Sequence, residues 1–365
     1  MKEETQAAPL GSYRWIRPLL FRLEPERAHQ MVLSGLAWLA RWPWLLKAMG
    51  RYTSQDPTLE VRCWGLRFPN PIGLAAGLDK DGLALPIWEA LGFGFVEMGS
   101  LTWHPQEGNP RPRLFRIPHE QALINRMGFN NRGVENAARR LSQQRLGIPL
   151  GINIGKSRIT PLEEAAQEYV RSLQKLWPYG DYFVLNLSSP NTPGLRQLQE
   201  ADRLRALLRD VLPALPSPSK PLLLKLAPEL TEAELEAVLE VVAEFHLSGL
   251  VATNTTTRRE GTSIKEPGGL SGRPLAADSL RILRLIRSRL PSLPVISVGG
   301  IFSLEDLQIR LAEGASLVQI YTGLIYRGPA LPRHLCQGLR FQESTLQVLD
   351  KGRLKFYNES RERRL

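Results

Sequence analysis

Cysteine is nearly absent from this chain: Cys63 and Cys336 are its only two, far apart and in no CxxC pair. That excludes a disulfide framework and a cysteine-rich metal site, and it fits a reducing compartment. Long apolar runs are missing as well. Arg41, Pro43 and Lys47 interrupt the richest one, so no segment approaches the roughly 20 apolar residues of a spanning helix. The N-terminus carries Glu3 and Glu4 and has no continuous apolar core of a secretory signal, which argues against secretion, and the chain is expected on the cytoplasmic side. Neither a GxxxxGK[ST] loop nor a GxGxxG after the first strand occurs, which argues against a bound nucleoside triphosphate or a Rossmann dinucleotide. There is no callable repeat, and low complexity is confined to the Pro/Ser stretch from Pro213 to Pro221.

What is present is apolar bulk and positive charge. The 365 residues are 43% hydrophobic, enough for one barrel of about 250 residues plus an appendage. With 47 Lys and Arg against 36 Asp and Glu, the net charge of +11 attracts polyanions without choosing among lipid, nucleic acid and phosphorylated ligand.

From Tyr13 to Met49 the chain is dense in Trp, Leu and Arg, and two short amphipathic helices are expected. Pro25 suits the first turn of the second, and Pro43 kinks or ends it. Such helices either cap the barrel with their apolar faces or lie in a membrane interface, where interleaved Trp and Arg are favoured. A linker from Thr53 to Asn70, punctuated by prolines, follows.

Beyond it, eight apolar runs of strand length recur: Ile72 to Ala75, Phe95 to Met98, Leu150 to Ile154, Tyr182 to Leu187, Leu222 to Leu226, Gly249 to Ala252, Val295 to Val298 and Leu317 to Tyr321. Helical periodicity fills the intervals, as in Pro161 to Leu176 and Thr231 to Phe245. Continuous apolar strands alternating with amphipathic helices predict an α/β fold, a parallel sheet closed into a (β/α)₈ TIM barrel, with an open doubly wound sheet as the alternative.

Barrel enzymes build their sites at the C-terminal strand ends. Here those ends read Ala76 to Lys80, Gly99-Ser100, Asn153 to Lys156, Asn186 to Ser189, Lys225, Thr253 to Thr255, Gly299-Gly300 and Tyr321 to Gly323. Neutral hydrogen-bonding groups with a few lysines suit a planar, anionic, amide-rich ligand, and no His or carboxylate cluster points to a metal. Paired glycines make tight turns, but after a seventh barrel strand they also seat a phosphate on backbone N–H groups.

Seven segments carry a resemblance. "NPIGLAAGLDKDG" (Asn70 to Gly82), "NRMGFNN" (Asn125 to Asn131), "GINIGK" (Gly151 to Lys156), "NLSSPNTPGLR" (Asn186 to Arg196), "TNTT" (Thr253 to Thr256), "GGLSGRPL" (Gly268 to Leu275) and "ASLVQIYTG" (Ala315 to Gly323) resemble, in family order, the motifs of dihydroorotate dehydrogenase. The resemblance implies oxidation of (S)-dihydroorotate to orotate in de novo pyrimidine biosynthesis, with hydride passed to FMN. One subclass of the family uses a serine base and another a cysteine. Ser189 stands at the base position, and no cysteine lies between Cys63 and Cys336. A serine base needs a water or hydroxyl relay for its proton; the alternative for Ser189 is an ordinary loop hydroxyl.

By the same resemblance Lys80, Asn125, Arg126, Met127, Gly128, Phe129, Asn186, Asn191, Asn254 and Thr255 hold the substrate. FMN is implied at Ala76, Gly77, Leu78, Asp79, Lys80, Ser100, Asn153, Asn186, Lys225 and Thr253. Its phosphate falls to Gly272, Gly300, Tyr321 and Thr322. Without the resemblance, an Asn here reads as a turn residue and Lys225 as a strand-end lysine reaching for water. The N-terminal "LEPERAH" (Leu23 to His29) resembles the quinone-dependent class 2 subclass, whose extension forms a tunnel to the flavin. His29 and Arg116 are candidates at its quinone end, although a lone surface histidine is the alternative for His29. The implied layout is a helical membrane and quinone-tunnel extension over 1–52, an FMN-binding barrel over 53–345 and a basic tail over 346–365. The implied partners are dihydroorotate, a membrane quinone and an anionic membrane surface, not nucleic acid, and the implied place is peripheral, on the cytoplasmic face of the cell membrane. Competing readings are a soluble-type dihydroorotate dehydrogenase with another acceptor, a flavin-dependent tRNA uridine reductase and a non-catalytic membrane-surface module.

Overall fold

The computed structural model describes residues 8–50, 57–260, 262–263 and 265–340. The expected basic tail at 346–365 lies outside the described residues. The first two strands, β1 (Val61–Cys63) and β2 (Leu66–Phe68), pair as an antiparallel hairpin within the stretch expected to be a linker. Each of the eight apolar runs then becomes a strand: β3 (Ile72–Leu74), β4 (Phe95–Leu101), β7 (Leu150–Ile154), β8 (Tyr182–Asn186), β9 (Leu222–Leu226), β10 (Gly249–Ala252), β12 (Val295–Val298) and β13 (Leu317–Ile320). They close into an all-parallel barrel in the circular order β3-β4-β7-β8-β9-β10-β12-β13. Every residue of these eight strands is buried, the condition that removes apolar/polar alternation from a strand.

Side chains fill the barrel interior. Phe95, Tyr182, Val184, Leu223, Val251, Ile296 and Leu317 form one cluster, and Phe68 of the hairpin closes it from below. The ring of Phe68 meets Phe95 edge-on at 5.4 Å, and Trp64 lies 5.7 Å from Tyr182. Room for those rings comes from Gly73 and Gly151, where a Cβ would fall 2.2 Å from Phe95 and 2.1 Å from Tyr182. Any larger residue there would overpack the interior.

Amphipathic helices α4 (Leu85–Ala90), α5 (Gly133–Leu141), α6 (Ala165–Leu176), α7 (Ala201–Val211), α8 (Glu232–Glu244), α9 (Ala276–Arg289) and α10 (Leu304–Ala312) cover the outside. Their apolar faces and the outer strand faces make the main core. Two starts are encoded locally: Thr231 with Glu234 and Ser303 with Asp306 form capping boxes at α8 and α10. A short α11 (Thr322–Arg327) follows the last barrel strand.

Two additions lie outside this plan. Strands β5 (Leu114–Ile117), β6 (Ala122–Asn125) and β11 (Gly269–Gly272) form a separate antiparallel sheet in the order β11-β6-β5. The N-terminal region holds three helices rather than the two expected: α1 (Tyr13–Arg22), α2 (Pro25–Leu39) and α3 (Pro43–Gly50). Pro25 does open α2, where the Glu24 carboxylate accepts from the N–H groups of Glu26 at 3.0 Å and Arg27 at 2.7 Å. Pro43 opens a further helix after α2 has ended at Leu39. Helix α1 rests on α11 through Tyr13, whose hydroxyl donates to the carbonyl of Ile325 at 2.8 Å, and through Phe21 against Tyr326 at 5.5 Å. Among the described residues, no helix is long and apolar enough to cross a membrane.

Candidate active site

A cavity of about 1080 Å³, open space at its mouth included, lies where the barrel strands end. It has the dimensions of a cofactor or small-molecule site. The barrel supplies one side, from Ala75 after β3 round to Thr322 after β13. The antiparallel sheet supplies the other through Leu114, Leu123, Asn125, Ser271 and Gly272.

Beneath this wall runs a continuous network of amides and hydroxyls. The buried Glu97 carboxylate accepts from Gln319 Nε2 at 2.6 Å and from Asn153 Nδ2 at 2.8 Å. Asn153 Oδ1 in turn accepts from the hydroxyl of Ser100 and from Asn186 Nδ2 at 3.1 Å, and the same Asn186 nitrogen reaches Ser100 Oγ at 2.8 Å. Asn254 Nδ2 donates to Asn186 Oδ1 at 3.2 Å and to Ser188 Oγ at 3.0 Å. Each amide is thereby held in one orientation, which is what recognition of a ring edge by donors and acceptors requires. Gln319 Oε1 is buried on the cavity wall without a partner.

Facing this floor are Ser189, Asn191 and Asn125. Ser189, 7% exposed, accepts from the N–H of Asn191 at 3.3 Å. Asn191 Nδ2 donates to Asn125 at both its carbonyl, 3.1 Å, and its side-chain oxygen, 3.2 Å. Two lysines add charge. Burial lowers the Lys225 ammonium below its usual value, and Glu97 partly offsets this. Lys80, whose Nζ donates to Asn130 Oδ1 at 2.5 Å, is brought down to about 8, first by burial and then by Arg113.

Near Lys80 the N-terminal helices reach the barrel. Glu26 of α2, 3% exposed, accepts from Arg113 Nη2 at 2.7 Å and Arg111 Nη2 at 3.1 Å. Arg113 also donates to the carbonyls of Glu107 and Asn109. His29, one turn along α2, is brought down to about 4 by burial and then by Lys80, so its imidazole is neutral at physiological pH. Arg116 donates to the carbonyls of Leu20, at 2.9 Å, and Leu23 at the end of α1, and its guanidinium lies 4.7 Å from the Phe21 ring.

The two sides of the cavity thus carry amides, hydroxyls and two lysines, and known proteins share the sequence that builds them. The family model described as dihydroorotate dehydrogenase matches residues 58–342. The chain belongs to the dihydroorotate dehydrogenase family. A protein of Gloeobacter violaceus named dihydroorotate dehydrogenase (quinone) is 52% identical over 345 residues, 93% of this chain and 98% of that one. One of the same name from Thermus thermophilus is 54% identical over 327 residues, covering 88% and 94%. The crystal structure of the Eimeria tenella dihydroorotate dehydrogenase in complex with ferulenol superimposes with a TM-score of 0.76 at 36% identity, covering 90% of this chain and 92% of that one.

Quinone enzymes of the dihydroorotate dehydrogenase family are FMN-dependent flavoproteins, and the cavity has the features such a group needs. Gly299 and Gly300 line it at φ 127° and 72°, and a Cβ on Gly300 would sit 2.4 Å from Ala276, so this turn admits glycine alone. Beside the turn, Ser271 and Thr322 share a hydroxyl contact of 2.8 Å. A phosphate fits such a cluster of backbone N–H and hydroxyl groups. The unpartnered Gln319 oxygen and the Lys225 ammonium suit a ring with its own donors and a developing negative charge.

Of the residues expected at the site, the cavity brings together Ala76, Gly77, Lys80, Ser100, Asn125, Met127, Gly128, Phe129, Asn186, Ser189, Asn191, Lys225, Thr253, Asn254, Thr255, Gly272, Gly300, Tyr321 and Thr322. Leu78, Asp79, Asn153, Arg126, His29 and Arg116 do not line it. Asp79 accepts from the N–H groups of Leu83 and Ala84 and from Trp88 Nε1, bracing the turn that carries Lys80. Arg126 pairs with Glu266 at 2.8 Å. Sequence reasoning missed Glu97, Gln319, Ser271 and the Glu26–Arg113 pair. The polar letters inside β4 and β13, where every neighbour is apolar, were a signal for the first two.

Proposed function

We propose that this chain oxidises (S)-dihydroorotate to orotate in de novo pyrimidine biosynthesis and delivers the electrons to a membrane quinone, with Ser189 as the base. One observation carries this reading: the Ser189 hydroxyl, the amides of Asn125, Asn191 and Asn254, and the ammonium groups of Lys80 and Lys225 all open onto a single cavity. FMN, when bound, supplies the hydride acceptor and the electron route to quinone.

The chain's residues do the rest. The amides of Asn125, Asn186, Asn191 and Asn254 orient the substrate ring, and Lys80 neutralises its carboxylate. Ser189 takes the proton from C5 while its own proton leaves through a water or hydroxyl relay. The Asn191 N–H, bound to Ser189 Oγ, fixes the direction of that oxygen. Lys225 offsets negative charge as the electron pair leaves the substrate.

Residues 1–52 form the membrane and quinone-tunnel extension, 53–345 the FMN-binding barrel and 346–365 a basic tail. Helices α1 to α3 lie on the cytoplasmic face of the membrane. Trp15, Trp38, Trp42 and Trp44 are exposed among arginines, the pattern of an interfacial helix on anionic lipid. His29, neutral, and Arg116 stand at the quinone end of the tunnel. The reading is tested by the visible spectrum of the purified full chain under anaerobic dihydroorotate. Bleaching of the flavin band is the expected result; a colourless or unresponsive protein overturns it.

A further inference from the structure

Arg310 of α10 is 3% exposed and lies behind the Gly299–Gly300 turn. Its Nη2 donates to the carbonyl oxygens of Gly299 at 2.9 Å and Ala276 at 2.8 Å, while its Nη1 is buried with no hydrogen-bond partner. No carboxylate among the described residues stands in ion-pair range of it. The nearest acid that acts on it, Asp306, is already engaged: it accepts from the N–H groups of Phe302 at 2.8 Å and Ser303 at 2.9 Å and faces Arg273 at 3.4 Å. Arg327 repeats the pattern at Phe302, two residues after the turn. Its Nη1 donates to the carbonyl of Phe302 at 2.8 Å, its Nε is buried without a partner, and Asp306 is again the carboxylate that acts on it. Asp306 thus faces Arg273, and the two buried guanidinium groups of Arg310 and Arg327 have no carboxylate of the described residues in ion-pair range.

A buried cation without a paired anion is costly, so its persistence calls for a counter-charge. The peptide geometry says on which side. The Gly299–Gly300 bond is trans, which points its C=O and N–H in opposite directions. Arg310 holds the carbonyl, so the Gly300 N–H faces away from it, and Gly300 lines the cavity. A phosphate monoester carries a charge of about −1.5 to −2, comparable to the two guanidinium charges.

We propose that Arg310 is a positioning residue for the cofactor phosphate: it turns the Gly300 N–H into the cavity and supplies, through one peptide plane, a buried counter-charge to the dianion. This rests on the reading of the cavity as an FMN site. Arg310→Met removes the charge at similar length, and Ser279 Oγ, 3.3 Å from both the Gly299 and Ala276 carbonyls, remains as a donor behind the turn.

The test compares FMN with riboflavin, which lacks the phosphate, on the deflavinated full chain by quenching of flavin fluorescence. FMN binding to Arg310→Met is expected to weaken by about 10- to 100-fold, while riboflavin binding changes by less than about threefold. Arg310→Lys, which keeps the charge, is expected to hold FMN to within about fivefold of the parent. Equal weakening of both flavins, or no weakening of FMN, overturns the proposal and leaves the FMN site standing. Where the Met variant does not fold, Arg310→Gln replaces it, with the same selective loss expected and an unchanged preference for FMN overturning the proposal. A parent chain that takes up neither flavin overturns the functional reading and this inference together.

Discussion

The barrel and the N-terminal helices use the same side chains in opposite ways. Of the large apolar residues that stand exposed among the described residues, nine lie between Trp15 and Trp44, and the rest of the chain contributes only Ile159 and Ile309. Helices α5 to α10 turn their apolar stripes onto strands; α1 to α3 bury few residues and display the remainder. An apolar face that a protein leaves uncovered is a face meant for something else. The contrast teaches that hydropathy alone does not report the fold boundary here. What separates the regions is the partner, another layer of the same chain in one case and the proposed lipid surface in the other.

The largest expected effect keeps chemistry inside the barrel. Ser189→Ala is expected to retain bound flavin and vesicle binding while flavin reduction by dihydroorotate, followed by stopped-flow absorbance, slows by about 10²- to 10⁴-fold. Unchanged reduction removes Ser189 from its role. Next comes the joint between the regions. Glu26 is the buried carboxylate that α2 inserts against Arg113, and Glu26→Ala leaves that guanidinium buried and uncompensated. A loss of about 3–5 kcal/mol is expected in chemical unfolding, whereas a shift below about 0.5 kcal/mol would mean the two regions are mechanically independent. Third is the exposed face. Replacing Trp15, Trp38 and Trp44 together with Ser is expected to weaken sedimentation with anionic vesicles by at least about tenfold, from the apolar area withdrawn from lipid. The melting temperature should stay within about 2 °C, since these side chains pack on little. Undiminished vesicle binding would sink the membrane face.

Legibility followed the same divide. The eight barrel strands were readable because burial on both faces makes each a continuous apolar run. The covering helices were readable because a single buried stripe imposes a 3.6-residue period. The hairpin β1–β2 and the sheet β11-β6-β5 were not read. Their strands run for only three or four residues, too short for a period to emerge, and β11 pairs with β6 across more than 140 positions. Site residues at strand ends stood out as polar letters closing apolar runs. Whether such a letter lies on the wall, as Ser189 does, or behind it, as Asn153 and Asp79 do, depends on which face of the turn it takes, and composition is silent on that. The Glu26–Arg113 pair joins residues 87 positions apart, so each alone reads as a surface charge.

The smallest expected effect lies where the two regions meet at the substrate. Lys80 is held at about 8 against an ordinary 10.5, and Arg113, itself tied to Glu26, is the second cause after burial. An anionic substrate needs the ammonium form, so kcat/KM for dihydroorotate should fall above pH 8 by up to about tenfold per unit, reporting the free enzyme's ionisation. Unfolding would not imitate this fall. Between pH 8 and 10.5 the unfolded chain still holds the Lys80 proton that the native chain has released, so this group's contribution to stability rises with pH through that window. Lys80→Arg, which stays charged, should flatten the upper limb even where it lowers the maximum rate. Persistence of the same limb in that variant would assign it to another group and detach Lys80 from the substrate charge. A limb moved to higher pH by Arg113→Met would tie the joint between helices and barrel to substrate binding, because removing a neighbouring positive charge lets the ammonium keep its proton longer.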